Sequence, residues 1–341
     1  MIELLLFSAS FVTSYLGVAA YRRFSSKRGL LDVPNARSSH EIPTPRGGGL
    51  IIVIVSLISY CAVSFIATYN ISWGYVVGAL LIALVSWLDD LYSISFIARL
   101  LIHSVAACLV VADLGHWNDF YLLGTGITLR LGTVGIVITF FWIVWMVNAY
   151  NFMDGIDGIA GLQAIVASAG WLMFAFVFGY DSIYLFAGVL LFTNLGFLIH
   201  NWSPAKIFMG DVGSAFLGFT FAAVPLMALK EKPEGSFIIP VIGISFVWFF
   251  MFDTVLTFGL RLLTGKKVWM AHREHLYQRL ILSGYSHRFV TVLYGIFAAI
   301  VGTSAIAFAV FRGSFEILLL STITFLTATL LFVGFRKKIL T

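Results

Sequence analysis

The stretch Gly132-Thr-Val-Gly-Ile-Val-Ile-Thr-Phe-Phe-Trp-Ile-Val-Trp-Met-Val-Asn148-Ala-Tyr-Asn151-Phe-Met-Asp154-Gly-Ile-Asp157-Gly158 joins an apolar run to four polar side chains spaced three residues apart. About 17 to 25 apolar residues suffice for a helix to cross a bilayer, and the segment 133–150 meets that length. The polar end puts two amides and two carboxylates on successive turns around one helix boundary. Such groups at membrane depth are costly and default to function. They suit a phosphorylated ligand and a cation.

Working outward, comparable apolar runs lie at 2–21, 49–69, 72–88, 97–113, 159–179, 183–200, 213–229, 236–263, 289–311 and 315–335. With only 11% charged and 60% hydrophobic residues, against about 25% charged in soluble domains, most of the chain has lipid as its solvent. These features predict an all-α polytopic membrane protein of about eleven transmembrane helices, with residues 1–341 as a single integral domain. One exception is external: Tyr121-Leu-Leu-Gly-Thr-Gly-Ile-Thr-Leu-Arg-Leu reads as two short β runs about a turn, predicting a hairpin near 117–131.

Lys and Arg set the orientation, because loops rich in them stay cytoplasmic. Of 21 such residues, only Arg130, Lys230, Lys232 and Arg312 fall on one side of an eleven-span arrangement. The others, from Arg22 and Arg46 to Arg99, Lys206, the 261–288 region and the tail, fall on the opposite side. The N-terminus is therefore expected outside and the C-terminus in the cytoplasm. Glu3 ahead of the first apolar core, without a small-residue cleavage site, predicts a retained helix. The net charge of +5 is juxtamembrane, which indicates anchoring at a membrane rather than nucleic-acid binding. Cys61 and Cys108 lie in spans and read as small apolar residues.

Sorting the acids by side isolates the chemistry. Those outside are scattered, whereas the cytoplasmic ones fall in motifs. Asp89 and Asp90 close the third span, where the helix dipole disfavours them unless cations are near. Asp154 and Asp157 are expected at the amino end of the sixth span, a position that also receives phosphate. Lys206-Ile-Phe-Met-Gly210-Asp211-Val-Gly213-Ser214 opens the eighth span, with glycines that allow close approach to a ligand. Carboxylates without a Cys or His cluster suit Mg²⁺ or Mn²⁺ rather than Zn²⁺. A fourth element, His272-Arg273-Glu274-His275-Leu-Tyr277-Gln-Arg279, offers imidazole and guanidinium donors for diphosphate oxygens. It is not the zinc-protease pattern. His103, alone in a span, is expected to be a satisfied packing residue, and Asp253 is left outside the core site.

These four elements, in this order over nearly the full chain, resemble the polyprenyl-phosphate N-acetylhexosamine-1-phosphate transferases, the MraY-type and WecA-type enzymes. The loop Arg37-Ser-Ser-His40 through Pro43-Thr-Pro-Arg46-Gly-Gly-Gly49, with the His272 segment, looks most like the WbpL-type O-antigen initiating branch. Two departures stand out: Ser93 occupies the last position of the D-D-x-x-D pattern of many relatives, and His272-Arg-Glu-His275 replaces their richer histidine loop.

The resemblance implies transfer from a UDP-N-acetylhexosamine to undecaprenyl phosphate, with release of UMP, in the bacterial inner membrane with the site on its cytoplasmic face. The donor sugar leans to N-acetylfucosamine or N-acetylquinovosamine, with N-acetylglucosamine as the alternative. By the same resemblance Asp211 is the first choice for a Mg²⁺ ligand, and Asp89 or Asp90 a general base or second metal ligand, Asp90 being preferred for the metal. Asn148, Asn151, Asp154 and Asp157 would surround the nucleotide and its phosphates, and Arg46, Arg99, His272, Arg273 and His275 would contact phosphate. The prenyl chain requires a groove between spans, expected near 236–263, and a homodimer is left open.

A secondary transporter is the main competitor, but its acids would sit near midplane in repeated halves. An intramembrane aspartyl protease leaves the Asn-Asp motif and His loop unused, and the pattern of the CDP-alcohol phosphotransferases is absent after Asp154.

Overall fold

The computed structural model describes residues 2–34, 42–66, 70–233, 236–268 and 272–336. Arg37, His40, Glu41, Glu234, Lys337 and Lys338 lie outside the described residues. The order is α1 (Ile2–Arg28), β1 (Leu31–Asp32), β2 (Thr44–Pro45), α2 (Gly49–Ile66), α3 (Trp73–Tyr92), α4 (Phe96–Leu114), β3 (Asp119–Leu122) and β4 (Ile127–Arg130). There follow α5 (Val134–Met153), α6 (Ile159–Phe178), α7 (Asp181–Asn201), α8 (Asp211–Glu231), α9 (Ile239–Phe246), α10 (Trp248–Leu263), α11 (Leu276–Leu282), α12 (His287–Phe311) and α13 (Ser314–Phe335).

Helices dominate because hydrocarbon offers no water to backbone N–H and C=O groups, so each span must satisfy its own. Among the described residues nine helices are long and apolar enough to cross a membrane. The shorter apolar helix α2 and the pair α9–α10 complete the set of eleven segments. The pair corrects one expectation: 236–263 is not one straight span but bends by 79° between α9 and α10. The break is tolerated because Gln163 Nε2 of α6 donates to the Phe246 carbonyl at 2.8 Å, replacing a lost helical bond. The expected hairpin is present, pairing Asp119 with Arg130 and Leu122 with Ile127.

Helix α8 is the axis of the bundle, buried almost continuously from Val212 to Ala228. Small residues let its neighbours close on it. A Cβ at Gly49 of α2 would fall on the Gly213 backbone, and one at Gly218 would strike the Met146 carbonyl of α5. This close approach draws the first turn of α8 against α2, α3 and α5.

Acidic side chains serve neighbouring element ends. Asp113 of α4 accepts from Ser72 Oγ at 2.8 Å and Gly74 N at 2.7 Å, closing the start of α3, and pairs with Lys230 at 2.7 Å. Glu316 accepts from Tyr121 Oη at 3.0 Å and from Gly124 N, holding the hairpin to α13. The first N–H groups of a helix have no partner inside it, so carboxylates from adjacent helices supply one.

Candidate active site

The site begins where α3 ends. Ser93, with φ 55°, terminates α3 by donating its N–H to the Asp89 carbonyl at 3.0 Å, and Ser95 then caps α4. This tight reversal returns Arg99 over the end of α3. Its Nη1 lies 2.6 Å from Asp89 Oδ2 and 3.3 Å from Asp211 Oδ2, one nitrogen bridging carboxylates of two helices. Asp89 Oδ1 also accepts from Ile94 N at 2.5 Å. Asp90 is buried and turns both oxygens to the start of α8, accepting from Asp211 N at 3.2 Å and Val212 N at 3.3 Å. It is the cap that α8 does not provide for itself. Gly210, at φ 76°, makes room: a Cβ there would stand 2.7 Å from Asp90 Oδ2.

Residues 45–49 run alongside 208–209. Phe208 N donates to the Pro45 carbonyl at 2.8 Å, Gly48 N to Phe208 at 3.0 Å and Gly49 N to Met209 at 2.9 Å. This ladder brings Arg46 within electrostatic reach of Asp90.

The Asn-Asp motif divides between two tasks. Asn151 Nδ2 donates to Ser214 Oγ at 3.1 Å and sits beside the Asp211 carboxyl. Asp154 caps the carboxyl end of α5 instead of opening α6, whose own cap is Gly158. Burial and the charges of Asp211, Asp90 and Asp157 push the Asp154 carboxyl well above its usual range. Asp157 is engaged with protein: Oδ2 accepts from Ala205 N at 3.2 Å and Oδ1 lies 3.6 Å from His287 Nδ1. Burial acts to raise this carboxyl, but the bond and charge of His287 and the Ala205 N–H outweigh it and hold it below the usual range. Asn148 lies one turn deeper, its Nδ2 donating to the Val144 carbonyl at 2.7 Å and facing His103 Nδ1 at 3.4 Å. His103 meets the expectation of a satisfied packing residue only at Nδ1, since its buried Nε2 has no partner among the described residues.

Asp253 belongs to the architecture of the His loop. Fully buried in α10, it accepts from Leu276 N at 2.9 Å, Tyr277 N at 3.2 Å, Tyr294 Oη at 2.8 Å and Thr257 Oγ1 at 3.2 Å, and lies 3.2 Å from His275 Nδ1. A second clasp joins Arg261 to Glu274 at 3.1 Å and Lys266 to Glu274 at 2.7 Å. Tyr277 Oη donates to the Phe152 carbonyl at 3.0 Å, so the loop abuts the end of α5. The rings of His272 and His275 are 4.9 Å apart, and burial followed by the charges of His275 and Arg261 lowers the His272 pKa to about 4. An intramembrane acid was visible in the sequence, but its partners more than twenty residues later were not. Arg273 lies in the same loop and takes part in an interaction of its own.

Beside the loop an apolar groove of about 580 Å³ runs between α4, α5 and α10. His272, His275, Asn148 and Phe152 line one end, and Trp117 and Ile138 the other.

A model of glycosyl transferase family 4 matches residues 72–229, the segment carrying Asp89, Asp90, the Asn-Asp motif and Asp211. The chain is 32% identical over 303 residues to a probable undecaprenyl-phosphate N-acetylglucosaminyl 1-phosphate transferase of Bacillus subtilis, covering 88% of this chain and 83% of that protein. The chain belongs to glycosyl transferase family 4. It is also 27% identical to the decaprenyl-phosphate N-acetylglucosaminephosphotransferase of Mycobacterium tuberculosis, over 86% of this chain and 79% of that one. To the phospho-N-acetylmuramoyl-pentapeptide-transferase of Listeria monocytogenes it is 26% identical, over 71% and 78%.

Among the described residues of this family 4 transferase, no group of three His, Cys, Asp or Glu is arranged to hold a metal unaided. Mg²⁺ is commonly held by one or two carboxylates, waters and substrate phosphates. Asp211, whose side chain is 36% exposed, is the most open carboxylate of the Arg99 cluster. Burial first, and then the charges of Asp211, Asp90 and Asp157, raise the Asp154 carboxyl; carboxylates gathered this closely are the kind of oxygen donors that suit a divalent cation, so the donor set fits such an ion.

Proposed function

We propose that this protein transfers an N-acetylhexosamine-1-phosphate group from a UDP-sugar to undecaprenyl phosphate, releasing UMP, at the cytoplasmic face of a bacterial inner membrane. The observation that carries the reading is a carboxylate cluster bridged by Arg99 whose neighbouring His loop opens onto an apolar groove. A water-soluble nucleotide and a lipid phosphate can meet there. The cluster shares its membrane side with the basic loops, which supports the cytoplasmic assignment.

An oxygen of the acceptor phosphate attacks the β-phosphorus, the bond from that phosphorus to the bridging oxygen breaks, and UMP leaves with the bridging oxygen. A phosphate monoester has a second pKa of about 6, so the attacking group is already largely dianionic and needs no strong base. Asp89, held by Arg99 and Ile94 N, acts as a positioning group. Asp211 would hold the cation, and Asp90 would orient it by fixing the start of α8. When bound, Mg²⁺ neutralises charge on the diphosphate and the transferring group. Asn151 and Asp154 face the donor side, while Asp157 and His287 brace the 154–158 turn from behind. His272, Arg273, His275 and Arg46 supply donors for phosphate oxygens.

The relatives from Bacillus subtilis and Mycobacterium tuberculosis are named for N-acetylglucosamine, which favours UDP-N-acetylglucosamine over the N-acetylfucosamine and N-acetylquinovosamine donors of a WbpL-type branch. Incubating membranes with Mg²⁺, undecaprenyl phosphate and a panel of UDP-sugars, and following UMP, tests both levels. Absence of release with every UDP-N-acetylhexosamine rejects the transferase reading, and release only with N-acetylfucosamine or N-acetylquinovosamine donors rejects the preference for N-acetylglucosamine.

A further inference from the structure

Tyr277 holds on to the protein in two directions. Its backbone N–H donates to Asp253 Oδ2 at 3.2 Å, part of the docking of α11. Its fully buried hydroxyl points the other way and donates to the Phe152 carbonyl at 3.0 Å, 125 residues earlier in the chain. Phe152 stands in the last turn of α5, where carbonyls have no partner inside the helix. A side chain of the His loop therefore closes the helix that ends in the Asn-Asp motif.

Gly155 is matched to this hydroxyl. A Cβ at that position would fall on Tyr277 Oη and would stand 3.0 Å from Cζ and 3.2 Å from Cε2, so its three nearest neighbours all belong to Tyr277. Gly158 and Gly210, both at φ 76°, are glycines for their backbone. Gly155 has no left-handed φ, so its backbone admits alanine and the space taken by Tyr277 excludes it. Asp154, the residue before it, lies within electrostatic reach of Tyr277. The hydroxyl is thus seated against the turn that carries an acid of the site.

Building on the transferase reading above, in which the His loop and the Asn-Asp turn bracket the diphosphate, we propose that Tyr277 is a positioning residue: its hydroxyl, seated against Gly155 and bonded to Phe152, fixes the distance between these two walls. It touches neither substrate. Without the hydroxyl each wall keeps its own groups for substrate, and only their relative placement is released. Misplacement of reacting groups costs rate more than affinity.

The test is a double-mutant cycle on the purified full chain, following UMP release with Mg²⁺, undecaprenyl phosphate and whichever UDP-N-acetylhexosamine is turned over. Tyr277→Phe keeps the ring and the N–H on Asp253, so cleavage of the 264–275 segment by protease should match wild type. Its kcat should fall roughly tenfold, with KM for donor and acceptor each within about threefold. Gly155→Ala drives the Tyr277 oxygen away and should lower kcat by about a hundredfold. Combining the two removes the atom that clashes and leaves contacts that a shift of a few tenths of an ångström relieves, so the double variant should return to about the Tyr277→Phe level. A Tyr277→Phe enzyme with kcat within about twofold of wild type overturns the inference, as does a loss carried by KM. Effects of the two substitutions that simply multiply also overturn it, because the hydroxyl and Gly155 would then act separately. A Tyr277→Phe protein that fails to accumulate, or whose loop is cleaved more readily, makes the hydroxyl a folding contact and refutes the positioning role. Each of these leaves the transferase reading standing. Wild-type protein that releases no UMP with any UDP-N-acetylhexosamine removes that reading and this inference with it.

Discussion

Asp253→Asn preserves shape and removes charge at the point where α10 holds the His loop. The carboxylate faces donors on both oxygens: Leu276 N, Thr257 Oγ1 and His275 Nδ1 at Oδ1, and Tyr277 N and Tyr294 Oη at Oδ2. In either amide orientation an NH₂ group is turned toward at least one backbone N–H, so two or three bonds are lost. Hydrogen bonds to a charged group are each worth about 1.5–3 kcal/mol, and breaking a buried pair costs about 3–5 kcal/mol. A loss near 4 kcal/mol shifts the docked-to-undocked ratio of α11 and its loop by nearly a thousandfold, at ~1.4 kcal/mol per factor of ten. The Arg261–Glu274 clasp and the buried Leu276, Tyr277 and Leu280 offset part of this. We therefore expect transferase activity, read as UMP release, to fall at least tenfold. The 264–275 segment should become more readily cleaved by protease in intact membranes while the bundle persists. Activity within twofold of wild type, together with unchanged cleavage, would refute the assignment of Asp253 as the anchor.

Three further outcomes follow from the carboxylate cluster. Gly210→Ala forces a Cβ against Asp90 at a positive φ that costs a non-glycine residue about 1–2 kcal/mol; it should lower thermal stability by a few degrees and activity by more than tenfold, both measurable on purified protein. Asp89→Asn should reduce kcat modestly with no recovery at high pH, because Asp89 is held by Arg99; near-total loss rescued by alkaline pH would identify a general base instead. Asp154 has a folded pKa raised above its unfolded value, so its penalty appears as pH rises above about 4 toward the raised value, and stability falls across that window. Mg²⁺ should offset the fall, more at pH 7 than at pH 5, and Asp154→Asn should flatten the profile in metal-free melting curves. A Mg²⁺ effect independent of pH and of Asp154 would contradict this.

The candidate site was legible in part. Asp89, Asp90, Asn151, Asp154 and Asp211 converge as their spacing and membrane side suggested. Arg99 could have been a routine basic helix start, yet it bridges Asp89 and Asp211. Asn148 was grouped with the other motif residues but faces His103 and the groove. Its three-residue spacing from Asn151 is real; a rotation of about 300° over three residues separates their directions enough to serve two neighbours. Asp157 was expected among the nucleotide contacts and is tied to Ala205 and His287, residues far away in the chain.

By itself the sequence determined the succession of apolar helices and the hairpin between α4 and α5. Each of these depends on local run length or on turn residues. A helix in lipid satisfies its own backbone, so its existence needs no knowledge of its neighbours. Only the tertiary structure decided which carboxylate serves which helix end: Asp90 for α8, Asp253 for α11 and Asp113 for α3. It likewise decided that the 236–263 segment bends at Val247, where Gln163 supports the Phe246 carbonyl at the break, and that a groove remains beside α5. These outcomes rest on helices brought close by glycines such as Gly49, Gly213 and Gly218. An unpaired N–H in hydrocarbon costs several kcal/mol whatever its partner's place in the chain, so contact in space decides the pairing.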